Sequence, residues 1–204
     1  MEIYLIRHGK TKGNLEHRYV GRTDEDLLPE SRRHLEELRG SLKLPEQVYA
    51  SPLKRCTQTA EILFPAAPCM VHDGLREMDF GGFEYKNYEE LKDNPEYRAW
   101  IDCAGRKAFC GAEDSAVFRA RCVRAFLECI ADAGERKLER VAFAVHGGTI
   151  MSVLEALSHE KKGYYEWQTA NGSGFSAELR RDKSRLELTV AGRIGGEKDC
   201  RQRL

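Results

Sequence analysis

Leu5-Ile6-Arg7-His8-Gly9-Lys10-Thr11 is the stretch on which the reading of the fold turns. Apolar residues run into it from Ile3 and Tyr4, which predicts a short buried strand. The run stops at Arg7-His8-Gly9, so a cation and an imidazole stand at the carboxyl end of that strand. In an open α/β sheet that end is where ligands bind. Gly9 permits a sharp turn or a close backbone approach to a ligand, and Thr11 adds a hydroxyl. Taken alone, the stretch fits an anion site, and equally a strand that ends in polar residues.

The pattern recurs downstream. Gln47-Val48-Tyr49-Ala50 reads as a strand, followed by Ser51-Pro52 as helix N-cap and first helical residue, with Arg55 in the first turn. Val141 to Val145 is wholly apolar, which predicts a central strand, and it runs into His146-Gly147-Gly148-Thr149 and a helix from Ile150 to Leu157. Cys69 to His72 reads as another short strand. Phe175–Leu179 and Leu186–Val190 alternate and are close enough to form an antiparallel hairpin at one edge. Helices are expected from Ser31 to Leu42 and from Asp114 to Gly134. The second carries Val117, Phe118, Cys122, Phe126, Leu127 and Ile130 on one face. Residues 12–29, with Gly13, Gly21 and Pro29, read as a loop, and 192–204 as a frayed, charged tail.

Strands alternating with helices predict a three-layer α/β/α fold. Its sheet is expected to be mostly parallel with an antiparallel edge strand, with helices on both faces and a small helical cap. One domain spans 1–204, and residues 79–115, the longest excursion between strands, form the cap insertion. All three polar sets then fall at strand carboxyl ends and converge on one crevice. Arg7, Arg55, His8, His146 and free helix amides make a phosphate-sized anion site, and Glu77 lies on a glycine-flanked loop within reach of its rim.

Composition narrows the partners. The 33 basic and 33 acidic residues balance, which argues against a nucleic-acid or anionic-membrane surface. No apolar run approaches the ~20 residues of a membrane helix, and no secretory leader is visible at the N-terminus. The seven cysteines show no Cys-x-x-Cys and no zinc-like spacing with histidine, so free thiols in a reducing cytoplasm are expected, with no metal. Cys56 reads as a buried helix cysteine rather than a reactive thiol. His17, His34, His72 and His159 read as surface or structural. Arg18 and Arg22 fit solvated loop charges or a rim that steers phosphate. The aromatics Tyr85, Tyr88, Tyr97, Trp100 and Phe109 read as cap core.

Leu5–Thr11, Asn14, Ser51-Pro52-Leu53-Lys54-Arg55-Cys56-Thr57-Gln58-Thr59-Ala60, Glu77 and His146-Gly147-Gly148 together resemble the histidine phosphatase superfamily, which includes cofactor-dependent phosphoglycerate mutase. The resemblance covers residues 2 to about 160. It implies that His8 is the nucleophile, forming a phosphohistidine. Arg7 and Arg55 would clamp the phosphoryl oxygens and His146 would donate to the same group. Glu77 would protonate the leaving oxygen and then activate water. Thr11, Asn14 and Gly147 would contribute contacts to the phosphate. No metal or cofactor is implied.

There are departures from the family pattern. Lys10 replaces a common glutamate, Phe83 a common tryptophan, Tyr85 a common glycine, and Gly111-Ala112-Glu113-Asp114 a typical Gly-Gly-Glu-Ser. Most of these fall in the expected cap, where they would bear on substrate choice. The stretch from Glu77 to Phe118 looks like the α-ribazole phosphatase branch, which also holds sugar-phosphate and broad-specificity phosphatases. The leading expectation is a phosphatase acting on a small-molecule phosphomonoester. A phosphoglycerate mutase stands second, because Met78 to Glu84 lacks the basic residues that would hold a substrate carboxylate. A non-catalytic phospholigand-binding module stands third. Oligomeric state is left open.

Overall fold

The computed structural model describes residues 1–103, 105, 109, 111–182 and 185–195. Its elements in chain order are β1 (Glu2–Arg7), α1 (Lys12–Leu15), α2 (Pro29–Arg39), β2 (Gln47–Ala50), α3 (Lys54–Leu63) and β3 (Cys69–Val71). They continue as α4 (Tyr88–Leu91), α5 (Pro95–Asp102), α6 (Ser115–Glu135), β4 (Arg140–Val145), α7 (Gly147–Leu157), β5 (Gly174–Asp182) and β6 (Arg185–Ile194). The six strands form one sheet in the order β3-β2-β4-β1-β5-β6. β3, β2, β4 and β1 are parallel, and the β5–β6 hairpin joins β1 antiparallel. Among the described residues no helix is long and apolar enough to cross a membrane.

The strand alternation builds two cores. Ile3 and Leu5 of β1, Tyr49 of β2, and Val141, Phe143 and Val145 of β4 face one side. They pack there with Phe126, Cys129 and Ile130 of α6 and Ile150, Val153 and Leu154 of α7. Tyr4, Ile6, Val48, Ala50, Ala142 and Ala144 face the other side, against Leu35 of α2 and Ala60 and Leu63 of α3. Each such large apolar side chain taken out of water contributes ~1.5–3 kcal/mol. A third cluster of Phe83, Leu91, Tyr97, Trp100 and Phe109 forms a small separate core, with Tyr19 and Phe80 packed against it.

Several boundaries differ from expectation. α3 begins at Lys54 with Leu53 as its extended N-cap, and the Ser51 hydroxyl accepts from the Leu53 N–H at 3.4 Å, ahead of the helix. Lys12–Leu15 is a helical turn, not loop, since the Thr11 side chain and Asn14 close a capping box. β6 runs to Ile194, paired with Gly174, so the expected tail is strand at its start, and residues 196–204 lie outside the described set. Asp114 is the N-cap of α6, accepting from the N–H groups of Ala116 and Val117. Val117 points to solvent at 59% exposure, while Phe118, Cys122 and Phe126 carry the buried face.

Candidate active site

Parallel pairing sets the site. Arg7 of β1 lies opposite Val145 of β4, and Ala50 of β2 lies opposite Ala144. The residues that follow, His8, His146 and Ser51, therefore leave the sheet side by side. The His8 N–H donates to the Val145 carbonyl at 2.9 Å, and the Ser51 N–H to the Ala144 carbonyl at 3.2 Å. The two imidazoles meet edge to face, with centroids 5.2 Å apart.

His8 is buried, and its Nδ1 lies 2.7 Å from the Gly9 carbonyl. A carbonyl only accepts, so Nδ1 carries the proton and Nε2 keeps a free lone pair. Burial, then the charges of Arg55 and Arg7, hold the ring well below the usual histidine range. Neutral imidazole with a free Nε2 is the nucleophilic form. His146 is held low by the same burial and by Arg55. Its Nε2 is 2.8 Å from the Ser51 hydroxyl, and Cys56 Sγ packs 3.5 Å from the same nitrogen. Burial pushes the Cys56 thiol up to about 12, which suits a packing role rather than a thiolate.

Arg55 is fully buried and its guanidinium is fixed by backbone. It donates to the carbonyls of Thr23 at 2.7 Å, Gly21 at 2.9 Å and Val20 at 3.3 Å. Its Nε–H has no hydrogen-bond partner, an orphan donor that an anionic oxygen would satisfy. Glu84 shapes this loop by accepting from Gly21 N–H, Thr23 N–H and the Thr23 hydroxyl. Gly21 admits no side chain, because a Cβ there would sit 2.1 Å from the Met78 carbonyl. Arg7 donates to the Thr169 carbonyl at 2.8 Å.

The Glu77 carboxylate accepts from its neighbour Met78 N–H at 3.0 Å and from Gly148 N–H at 3.4 Å. Burial raises its pKa, opposed by the Met78 N–H and the charges of Arg55 and Arg7. A carboxyl pushed upward in the cleft that also holds a neutral imidazole suits proton donation to a leaving group.

Arg7, His8, Asn14, Glu77 and Gly147 line one cleft of about 810 Å³, with Arg55 and His146 buried rather than on its wall. Thr11 does not reach the cleft. It is fully buried, donating to Glu25 Oε2 at 2.6 Å and accepting from Asn14 N–H in the α1 cap. Asn14 Oδ1 accepts from Asn171, whose amide also donates to the His8 carbonyl. Asn171, Ser51 as a partner of His146, and Glu84 as the support of the arginine loop were not read from the sequence as site residues. Ser51 reads from the sequence as a helix cap and as part of the Ser-Pro-x-x-Arg motif, with no partner assigned to its hydroxyl. Asn171 sits in a loop with no motif around it.

Beyond the polar end the cleft is lined by Tyr19, Phe80, Tyr97, Trp100, Phe118 and Tyr164. Tyr97 and Trp100 belong at once to this wall and to the small core, whereas Tyr88 is 58% exposed. Tyr85 donates its hydroxyl to Glu25. Arg18 is bound by Glu16, Glu90 and the Tyr85 carbonyl at the rim, and Arg22 pairs with Asp79 at the surface. His17 lines the mouth, while His72 caps Gly74 N–H and faces Glu128. Among the described residues no cluster of three or more His, Cys, Asp or Glu is placed to hold a metal ion.

Known proteins share this arrangement's framework. The model of the histidine phosphatase superfamily (branch 1) matches residues 3–191. The chain is 32% identical over 170 residues to phosphoglycerate mutase-like protein 4 of Arabidopsis thaliana, covering 76% of this chain and 70% of that protein. It is 27% identical over 170 residues to a broad-specificity phosphatase of Saccharomyces cerevisiae, covering 78% and 71%. The crystal structure of an α-ribazole phosphatase from Shigella flexneri superimposes with a TM-score of 0.79 at 21% identity, over 93% of this chain and 95% of that one, a likeness of fold. With the family model spanning nearly the whole described chain, the protein belongs to the histidine phosphatase superfamily, branch 1.

Proposed function

We propose that this protein is a phosphatase that hydrolyses small organic phosphomonoesters through a phosphohistidine on His8. The observation that carries the reading is the state of His8: buried, neutral, its Nδ1–H spent on Gly9 and its Nε2 free beside Arg55 and His146. Nε2 attacks phosphorus, and the bond from phosphorus to the ester oxygen breaks. Glu77 gives its proton to the departing alkoxide. Charge that spreads over the equatorial oxygens is met by Arg7, Arg55 and His146. Water then attacks the phosphohistidine, Glu77 takes a proton from that water, and the P–N bond breaks to release phosphate and neutral His8.

Hydrolysis is favoured over mutase action because the cations described around the cleft beyond the clamp are already engaged. Arg18 is held by Glu16 and Glu90, and Arg119 by Glu155. The segment after Glu77 is apolar and acidic. The aromatic wall suits an alcohol with a flat or apolar body, so α-ribazole phosphate heads the proposed substrates and sugar phosphates follow.

A panel of phosphate esters, together with 3-phosphoglycerate plus catalytic 2,3-bisphosphoglycerate, tests this. Phosphate release from ring-bearing or sugar esters, with little 2-phosphoglycerate formed, is the expected result. Isomer exchange faster than phosphate release would replace the phosphatase with a mutase. Tight binding of esters without turnover of any would make it a binding module.

A further inference from the structure

Glu113 and Arg121 lie far from Glu77 in sequence and share no motif with it. In the fold they grip its loop from both sides. Arg121, one turn and a half into α6, donates to both carboxylate oxygens of Glu113, at 2.8 and 2.7 Å. The same guanidinium donates to the carbonyls of Gly74 at 2.9 Å and Arg76 at 3.0 Å, and reaches the Glu77 carbonyl at 3.5 Å. Glu113 closes the other side, its own N–H donating to the Asp79 carbonyl at 3.0 Å. Both side chains are about one-fifth exposed, at 20% and 19%. The arginine also covers the Phe118 ring, 5.2 Å from its centroid, and Phe118 packs where Glu77 meets Gly148.

We propose that the Arg121–Glu113 pair positions the proton donor, fixing the backbone on either side of Glu77 and so setting where its carboxyl stands in the cleft. The proposal rests on Glu77 acting as the general acid of the reading above. Arginine is needed because one planar fork must serve two carboxylate oxygens and several carbonyls in different directions. Lysine concentrates its donors at one point and cannot span them. Neither residue touches the ester, so each is a positioning residue. Within residues 111–114 Glu113 keeps the family's glutamate, and the departures flank it at Ala112 and at Asp114, which serves as the α6 cap.

The test is single-turnover phosphorylation of the full-length protein by an alkyl phosphate and by p-nitrophenyl phosphate, whose leaving group departs without a proton. Arg121→Lys, Glu113→Gln and Glu77→Gln are compared with the parent protein. A donor displaced by about an ångström loses ~10- to 100-fold, so Arg121→Lys and Glu113→Gln should slow the alkyl reaction by that range, the aryl reaction by less than about threefold. Vanadate inhibition should be unchanged in both, since the arginine clamp is intact. Equal losses on the two substrates, or no loss from either variant, would overturn the positioning role. Glu113→Gln keeps the side-chain volume and carries the test if Arg121→Lys does not fold. If Glu77→Gln itself shows no dependence on the leaving group, the acid role fails and takes this proposal with it. If Glu77→Gln shows that dependence and the other two do not, only the positioning role fails.

Discussion

Glu77 and Gly148 are in contact that leaves no room for a side chain: a Cβ on Gly148 would fall 2.5 Å from Glu77 Oε1 and 2.7 Å from the Phe118 ring. The absence of that atom lets the Gly148 N–H reach the carboxylate at the start of α7. Gly148→Ala must push both neighbours aside. Overpacking of this kind costs ~1–3 kcal/mol in stability. The displaced carboxyl should lower kcat/KM for alkyl phosphates by ~10²-fold while p-nitrophenyl phosphate is affected much less. Thermal melts and the two kcat/KM values check it. Wild-type rates on both esters would mean that the glycine serves packing alone.

The pH dependence of phosphorylation follows from the two shifted groups. His8 is depressed below the ordinary 6.5 by burial and by Arg55, so the nucleophile stays neutral and active as pH falls through that value. The acid limb for alkyl phosphates should therefore lie below pH 6.5. Glu77 is raised above the ordinary 4.5, chiefly by burial, and its donor form is lost as pH rises through the raised value. That sets a falling alkaline limb. Glu77→Gln should remove the alkaline limb and leave the acid limb in place. A profile in which the acid limb disappears instead would exchange the two assignments.

Arg55 acts on both imidazoles: after burial, its charge does most to hold each of them low. Arg55→Gln should move the acid limb to higher pH. Losing one stabilising donor also costs ~10²–10³ in kcat. The carbonyls of Val20, Gly21 and Thr23 lose their partner as well, at ~1–3 kcal/mol for each buried group left unpaired. Rate profiles and denaturant melts on the same variant separate these effects. An unmoved acid limb would show that Arg55 is too distant to act on His8.

How legible the site was depended on how local its chemistry is. β1, β2 and β4 announce themselves by apolar runs, and His8 and His146 follow because each stands one residue beyond the strand. Arg55 was legible as a cation on the first turn of α3. Its three carbonyl partners were not, since residues 20–23 have no period and owe their shape to Glu84. The start of α3 was misplaced because Ser51-Pro52 carries a cap signal, while the serine hydroxyl actually faces His146. Arg121 read only as one more charge on an amphipathic helix, its carbonyl partners lying 44 to 47 residues away.

Thr11 separates a carried-over role from the role its surroundings give it. Its hydroxyl is committed to Glu25 and to the α1 cap inside the protein. Thr11→Val should cost about 1 kcal/mol of stability, the usual worth of such a cap, with the vanadate inhibition constant unchanged. Weakened vanadate binding at full stability would return Thr11 to the phosphate site.

The central claim is that His8 Nε2 carries the phosphoryl group. Rapid quenching of the protein with a ³²P-labelled ester, followed by peptide mapping, measures this directly. The expected result is an acid-labile, base-stable label on the peptide holding His8, absent in His8→Ala and still formed, more slowly, in His146→Ala. Label retained in His8→Ala, or found on any other residue, would contradict the account.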